Sequence, residues 1–131
     1  MLKHGILNPA LLELLGRFRH TNRLVIADRG FPSWPSVPTI DLSLVDNIPT
    51  VEQVLVALLP TCSIGAAFRA KEFKAHNSAA TVSAAEKLLR THGIKLTYEK
   101  HLAFKKRVPS AIGLIRTADT TPYANIILES A

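Results

Sequence analysis

Short apolar runs, each too brief for a helix and each bounded by polar or turn residues, constrain this fold most. Leu24-Val25-Ile26-Ala27 lies between Arg23 and Asp28, and Ile126-Ile127-Leu128 follows Asn125. Between such runs lie segments whose apolar residues recur at helical spacing, as at Leu11, Leu12, Leu15 and Phe18. Strand-like and helix-like segments in alternation predict an α/β fold, a mainly parallel central sheet flanked by helices. With 131 residues the chain is expected to form one domain, 1–131, because domains usually run to roughly 100–200 residues.

Local signals place the elements. Asn8 is expected to cap a first helix, with Pro9 where its missing N–H costs nothing. Residues 23–28 read as a short buried strand, and 30–38, with Trp34 among several prolines, as an irregular loop. Thr50 and Gln53 form a capping-box pattern opening a helix that ends near Leu59-Pro60. Residues 65–73 read as a second strand. Ser78 opens a longer helix stopped near Gly93. A strand over 94–98, a short helix over 99–107 and strands over 111–116 and 125–129 complete the pattern. Strand order does not follow from it.

Composition excludes several functions. The net charge of +6 raises nucleic acid as a partner. The basic residues are scattered, however, and aromatic residues at 6% leave few stacking platforms. A solvated basic face is expected, with no nucleic-acid partner. No run approaches the ~18–20 apolar residues of a membrane span, and the N-terminus lacks the features of a signal peptide. The single Cys62 rules out an internal disulfide and fits a reducing cytoplasm. It is expected to pack rather than react. The slightly positive mean hydropathy is high for so small a chain, which suggests an oligomer burying apolar surface between subunits.

Chemistry-bearing residues cluster in a few places. In Thr121-Pro122-Tyr123-Ala124-Asn125-Ile126-Ile127-Leu128, proline fits the first residue of a strand. Tyr123 and Asn125, two apart, would then share one face at its mouth. A phenol and a carboxamide side by side suit a hydroxyl-rich ligand. His20 lies in the connection before the strand 23–28, where it could exchange protons near neutral pH or simply cap the preceding helix. Asp28 closes that strand and so reaches the carboxyl edge of the sheet, where α/β ligands lie. It could bind hydroxyls there, or only order a turn near Gly30. His101 and Lys105, four apart on a helix, would share a face and present a cationic, hydrogen-bond-donating wall. A solvated face carrying Lys100, Lys105 and Lys106 is the plainer account. His4 and His92 read as surface histidines. The histidines form no His-Glu-x-x-His or paired Cys/His pattern, so no metal is expected.

The octapeptide 121–128, read with His20-Thr21, Asp28, His101 and Lys105, resembles the D-ribose pyranase (ribose mutarotase) family, sister to the L-fucose mutarotases. The resemblance covers nearly the whole chain. Gly5-Ile6-Leu7-Asn8-Pro9, Gly30-Phe31-Pro32, residues 39–44, Ile48-Pro49-Thr50, His76-Asn77 and Arg116-Thr117 fall in the family's order and spacing. It implies a cofactor-free isomerase that exchanges pyranose and furanose forms, or anomers, of a monosaccharide, D-ribose first. L-fucose or another aldose is the alternative, as is a non-catalytic sugar-binding protein on the same scaffold. His20 would be catalytic, and Asp28, His101, Lys105, Tyr123 and Asn125 would bind substrate. The resemblance also implies a ring-shaped homo-oligomer, a homopentamer or homodecamer, with sites between adjacent subunits. No role is implied for His76-Asn77. Several positions depart from the family pattern: Arg29 replaces a small residue, Lys71 stands where acidic residues are usual, Leu102-Ala103 replaces polar residues, and Asp119 replaces a Gly-Glu pair. Arg29 could pair with Asp28 and lower its pKa, or reach a phosphorylated sugar.

Overall fold

In a computed structural model describing residues 1–131, the first helix, α1 (Pro9–Gly16), starts as its sequence dictates. The Asn8 side chain accepts from the backbone N–H of Leu11 at 3.0 Å. The second helix, α2 (Val51–Leu58), opens with the full capping box: Thr50 accepts from Gln53 N, and Gln53 accepts from Thr50 N. Helices α3 (Lys71–His76), α4 (Ala79–Thr91) and α5 (His101–Arg107) follow. Ser78 caps α4 through the backbone N–H of Thr81.

Six strands form one sheet: β1 (Arg23–Ala27), β2 (Thr39–Asp41), β3 (Ile64–Ala70), β4 (Lys95–Glu99), β5 (Ala111–Arg116) and β6 (Ile126–Ser130). Their order is β2-β5-β1-β6-β3-β4. The pairs β2–β5, β5–β1 and β3–β4 are parallel. Only β6, between β1 and β3, runs antiparallel to its neighbours. The sheet is therefore mainly parallel, as the alternation of segments predicts.

Both faces are covered, which is why β1 reads as an unbroken apolar run. Leu24, Ile26, Ile115, Ile126 and Leu128 pack against Leu11 and Leu14 of α1, Val54, Leu55 and Leu58 of α2, and Leu89 of α4. Val25, Ala27, Leu114 and Ile127 pack on the other face against Phe104 of α5 and Phe31 and Val37 of the loop between β1 and β2.

Beyond shifts of one or two residues at element ends, the structure departs from the sequence expectation in two places. The strand anticipated over 65–73 ends at Ala70, because the chain leaves the sheet there and Lys71–His76 turns into α3, burying Phe73. The edge strand β2 has no sequence signal: it is three residues long, with an exposed, intermediate, exposed burial pattern. Short polar edges of this kind discourage pairing with other chains.

Helix α1 sits so close to β5 that Gly113 leaves no room for a side chain. A Cβ there would lie 2.7 Å from both terminal carbons of Leu14, a residue only 2% exposed. Gly113→Ala is expected to lower stability by about 1–3 kcal/mol through overpacking, seen as a reduced urea midpoint with an unchanged m-value.

Candidate functional site

The topology gathers chain segments that are remote in sequence. Strands β1, β3, β4 and β5 all end at one edge of the sheet, and antiparallel β6 begins there. Asp28 follows β1, His101 follows β4, and Asn125 precedes β6. Together with Gly30, Phe31, Pro32 and Tyr123 they line an open depression of about 260 Å³, at the small end of ligand pockets. A separate groove beside α1 and α2, lined by Ile6, Leu11, Val54 and Leu58 among others, is almost wholly apolar and offers little to a sugar.

Asp28 and Asn125 bind each other twice. The Asn125 Oδ1 accepts from the backbone N–H of Asp28 at 2.7 Å, and its Nδ2 donates to Asp28 Oδ2 at 3.0 Å. The other carboxylate oxygen accepts from Gly30 N at 3.0 Å. The turn role and the site role of Asp28 thus coexist, since each carboxylate oxygen can accept more than one bond. Burial pushes the Asp28 pKa above its ordinary 3.8, against the lowering effect of these hydrogen bonds. Arg29 does not pair with Asp28: its Nη1 donates to Asp46 Oδ1 at 2.6 Å.

His101 is the first residue of α5, and its backbone N–H donates to Glu72 Oε2 at 3.0 Å. That satisfies one of the donors a helix start leaves free. Its ring packs edge-on to Tyr123 at 5.1 Å and stacks with Phe104 at 6.2 Å between centroids. The Nδ1 atom is buried without a partner. Desolvation first, then the charge of Lys105, draws its pKa below 6.5. The imidazole is therefore neutral at pH 7, and the expected cationic wall reduces to Lys105. That lysine lies outside the lining of the depression, its Nζ 5.9 Å from the Trp34 ring centroid.

Tyr123 and Asn125 do share the site, but not as neighbours on a strand. The strand starts at Ile126, and Tyr123 occupies a turn at φ 55°. Asn77 Nδ2 tethers this turn by donating to the carbonyl of Pro122 at 2.9 Å. The His76 ring packs at a tilt against Tyr123, with centroids 5.1 Å apart. The His76-Asn77 pair, left without a role in the sequence, thus supports the site. Arg116, noted in the sequence only as part of the resemblance, has a structural role as well. Its Nη1 donates to the carbonyl of Phe31 at 2.6 Å and to those of Asp28 and Arg29 at 3.4 Å, holding the loop against the sheet. Asp119 is buried and pins two segments, accepting from Val51 N at 2.8 Å and Thr121 N at 2.7 Å.

His20 is not brought to this site within the chain. It is exposed, in the turn between α1 and β1, beside the end of β6 where Thr21 N donates to Ser130 O. The length of β1, about 13 Å at 3.3 Å per residue, separates that edge from Asp28. Nor does His20 cap α1, whose C-cap is Arg17. No three His, Cys, Asp or Glu side chains converge as a metal site, and no helix is long and apolar enough to cross a membrane.

A helix-covered, mainly parallel sheet with a carboxylate, a carboxamide, a phenol and a neutral imidazole at its carboxyl edge defines a small α/β protein with a polar depression where hydrogen-bonding groups converge. The chain belongs to the RbsD / FucU transport protein family, whose model matches residues 1–131. It is 36% identical over 130 residues to the D-ribose pyranase of Halalkalibacterium halodurans, covering 99% of this chain and 97% of that one. Its fold matches Bacillus subtilis RbsD complexed with D-ribose at a TM-score of 0.92 and 36% identity, covering 100% of this chain and 98% of that one. The fucose mutarotase of Streptococcus pneumoniae in complex with L-fucose shares the fold at a TM-score of 0.83 and 23% identity, covering 99% and 98%.

Proposed function

We propose that this chain is a cofactor-free mutarotase exchanging the pyranose and furanose forms, and the anomers, of D-ribose. The observation that carries the reading is the doubly bonded Asp28–Asn125 pair facing His101 and Tyr123 across one depression. Its support in kinship is the D-ribose pyranase relative and the ribose-bound structure of the same fold.

Exchange begins when a base takes the proton of the anomeric hydroxyl. The C1–ring-oxygen bond then breaks to give the open-chain aldehyde, and an acid delivers a proton to the released oxygen. Attack by a different hydroxyl on the aldehyde closes the other ring, with the protons moved in reverse. The sequence needs only positioned groups whose pKa values lie within reach of neutrality. Burial draws the Asp28 pKa up toward that range and holds His101 as a neutral imidazole that can accept a proton. Asn125 and Tyr123 hold hydroxyls, and Lys105 contributes charge from the rim.

His20 is the proton donor in this scheme, supplied by a neighbouring subunit, because its own chain carries it at the opposite edge of the sheet. Sites shared around a ring-shaped homo-oligomer follow. The single, partly buried Cys62 suits a cytoplasmic setting.

Magnetisation-exchange NMR on D-ribose tests the reading. Catalytic amounts of protein are expected to speed pyranose–furanose transfer, and His20→Ala to slow it by roughly 100-fold or more. No acceleration with ribose but acceleration with L-fucose would move the substrate. No acceleration with any aldose would leave a binding protein.

A further inference from the structure

Arg69 projects from β3 on the face it shares with Tyr98 and Ile126 and has no solvent exposure. Its Nη2 donates to Glu52 Oε1 at 3.2 Å and to the carbonyl of Ala124 at 3.3 Å. The guanidinium lies 4.3 Å over the Phe73 ring, while Nε and Nη1 have no partner. A buried cation this sparsely bonded is costly to desolvate, and an apolar side chain is often as stable in such a place.

The carbonyl that Arg69 holds belongs to the residue between Tyr123 and Asn125. Tyr123 is in the left-handed region, which a bulky residue keeps only where its surroundings over-determine it. Asn77 ties the turn at the Pro122 carbonyl and Asp119 ties it at the Thr121 amide. Both ties lie on the N-terminal side of Tyr123. Arg69 alone among these side chains ties it on the C-terminal side.

We propose that Arg69, held by Glu52, is a positioning residue that anchors the Ala124 carbonyl and so fixes Tyr123 and Asn125 toward the ligand. Its effect on sugar binding rests on the mutarotase reading; the anchoring does not. The design links the start of α2 to the site across the end of the sheet.

The test pairs Arg69→Met with Glu52→Met, which removes both charges of the ion pair together. Hydrogen exchange of the Ala124 amide, which donates to Thr121 O at 3.3 Å, reads the turn directly, with Leu128 in β6 as internal reference. Ala124 is expected to exchange about tenfold faster in the double variant, with Leu128 unchanged. Thermal stability should stay level or rise. KM for D-ribose should rise about tenfold while kcat stays within about threefold. Arg69→Lys, which keeps a donor near the carbonyl, should recover part of both Ala124 protection and KM. Unchanged Ala124 protection in the double variant overturns the proposal, whatever the activity. Faster Ala124 exchange in a protein that accelerates no aldose supports the anchor and sinks only the mutarotase reading.

Discussion

Co-expressing His20→Ala and Asp28→Asn subunits is expected to restore aldose exchange that neither variant shows alone. Each chain carries His20 at one edge of the sheet and Asp28 at the other, with β1 between them. A site that uses both must draw them from different copies. Homo-oligomers of either variant then lack one group in every site, and loss of a positioned acid or base costs roughly 10²–10⁴-fold. In mixed rings some interfaces join an intact His20 to an intact Asp28. For random assembly at equal dose across a head-to-tail interface, about one quarter of the sites are whole. Activity near that fraction, in material that elutes as the parent oligomer, would fix the shared site. A mixture as inactive as its parts would sink the shared site.

Asn125→Ala should combine a large loss of activity with a marked loss of stability. Asn125 is 3% exposed, and its carboxamide both accepts from Asp28 N and donates to Asp28 Oδ2. Truncation strips a partner from a half-buried amide and from a carboxylate, a cost of about 1–3 kcal/mol, or roughly 3–15 °C in Tm for a chain of this size. The sign of the pH dependence is fixed by Asp28. Its folded pKa lies above 3.8, so its contribution to stability is present at low pH and is lost as pH rises through that folded value. Without the Asn125 bond, which favours the ionised form, the pKa rises further. The penalty of Asn125→Ala should therefore be largest near pH 7 and shrink as Asp28 takes up its proton in acid. In an Asp28→Asn background the extra pH dependence should vanish. Thermal melts across pH of the two single variants and the double variant decide it.

The parts of this protein legible in its sequence are those fixed by short-range chemistry. Asn8, Thr50 with Gln53, and Ser78 each mark a helix start because their side chains bond a backbone N–H three residues on. Asp28 reaches the carboxyl edge because an apolar strand carries it there. The turn at Tyr123 was hidden. Pro122 followed by apolar residues suits a strand, and the groups that bend it, Asn77 and Arg69, lie 45 and 55 positions away from the carbonyls they hold. The two-residue spacing of Tyr123 and Asn125 led to the right neighbourhood through a strand that starts later. Arg29 failed as a partner of Asp28 for a similar reason: adjacency in sequence said nothing of Asp46, which captures it. The neutral state of His101 arises from Phe104, Tyr123 and Lys105 packed around it, a setting that exists only once the sheet is assembled.

The position of β6 also governs how the polypeptide can be made. Every other strand leaves the ribosome before it, yet β6 lies between β1 and β3 in the finished sheet. Until it emerges, the nascent chain holds two half-sheets, β2-β5-β1 and β3-β4, each with an open edge toward the gap. Exposed edges of this kind invite pairing with the wrong strand. The nascent chain therefore has its greatest need of chaperone cover in the interval between synthesis of β5 and release of β6.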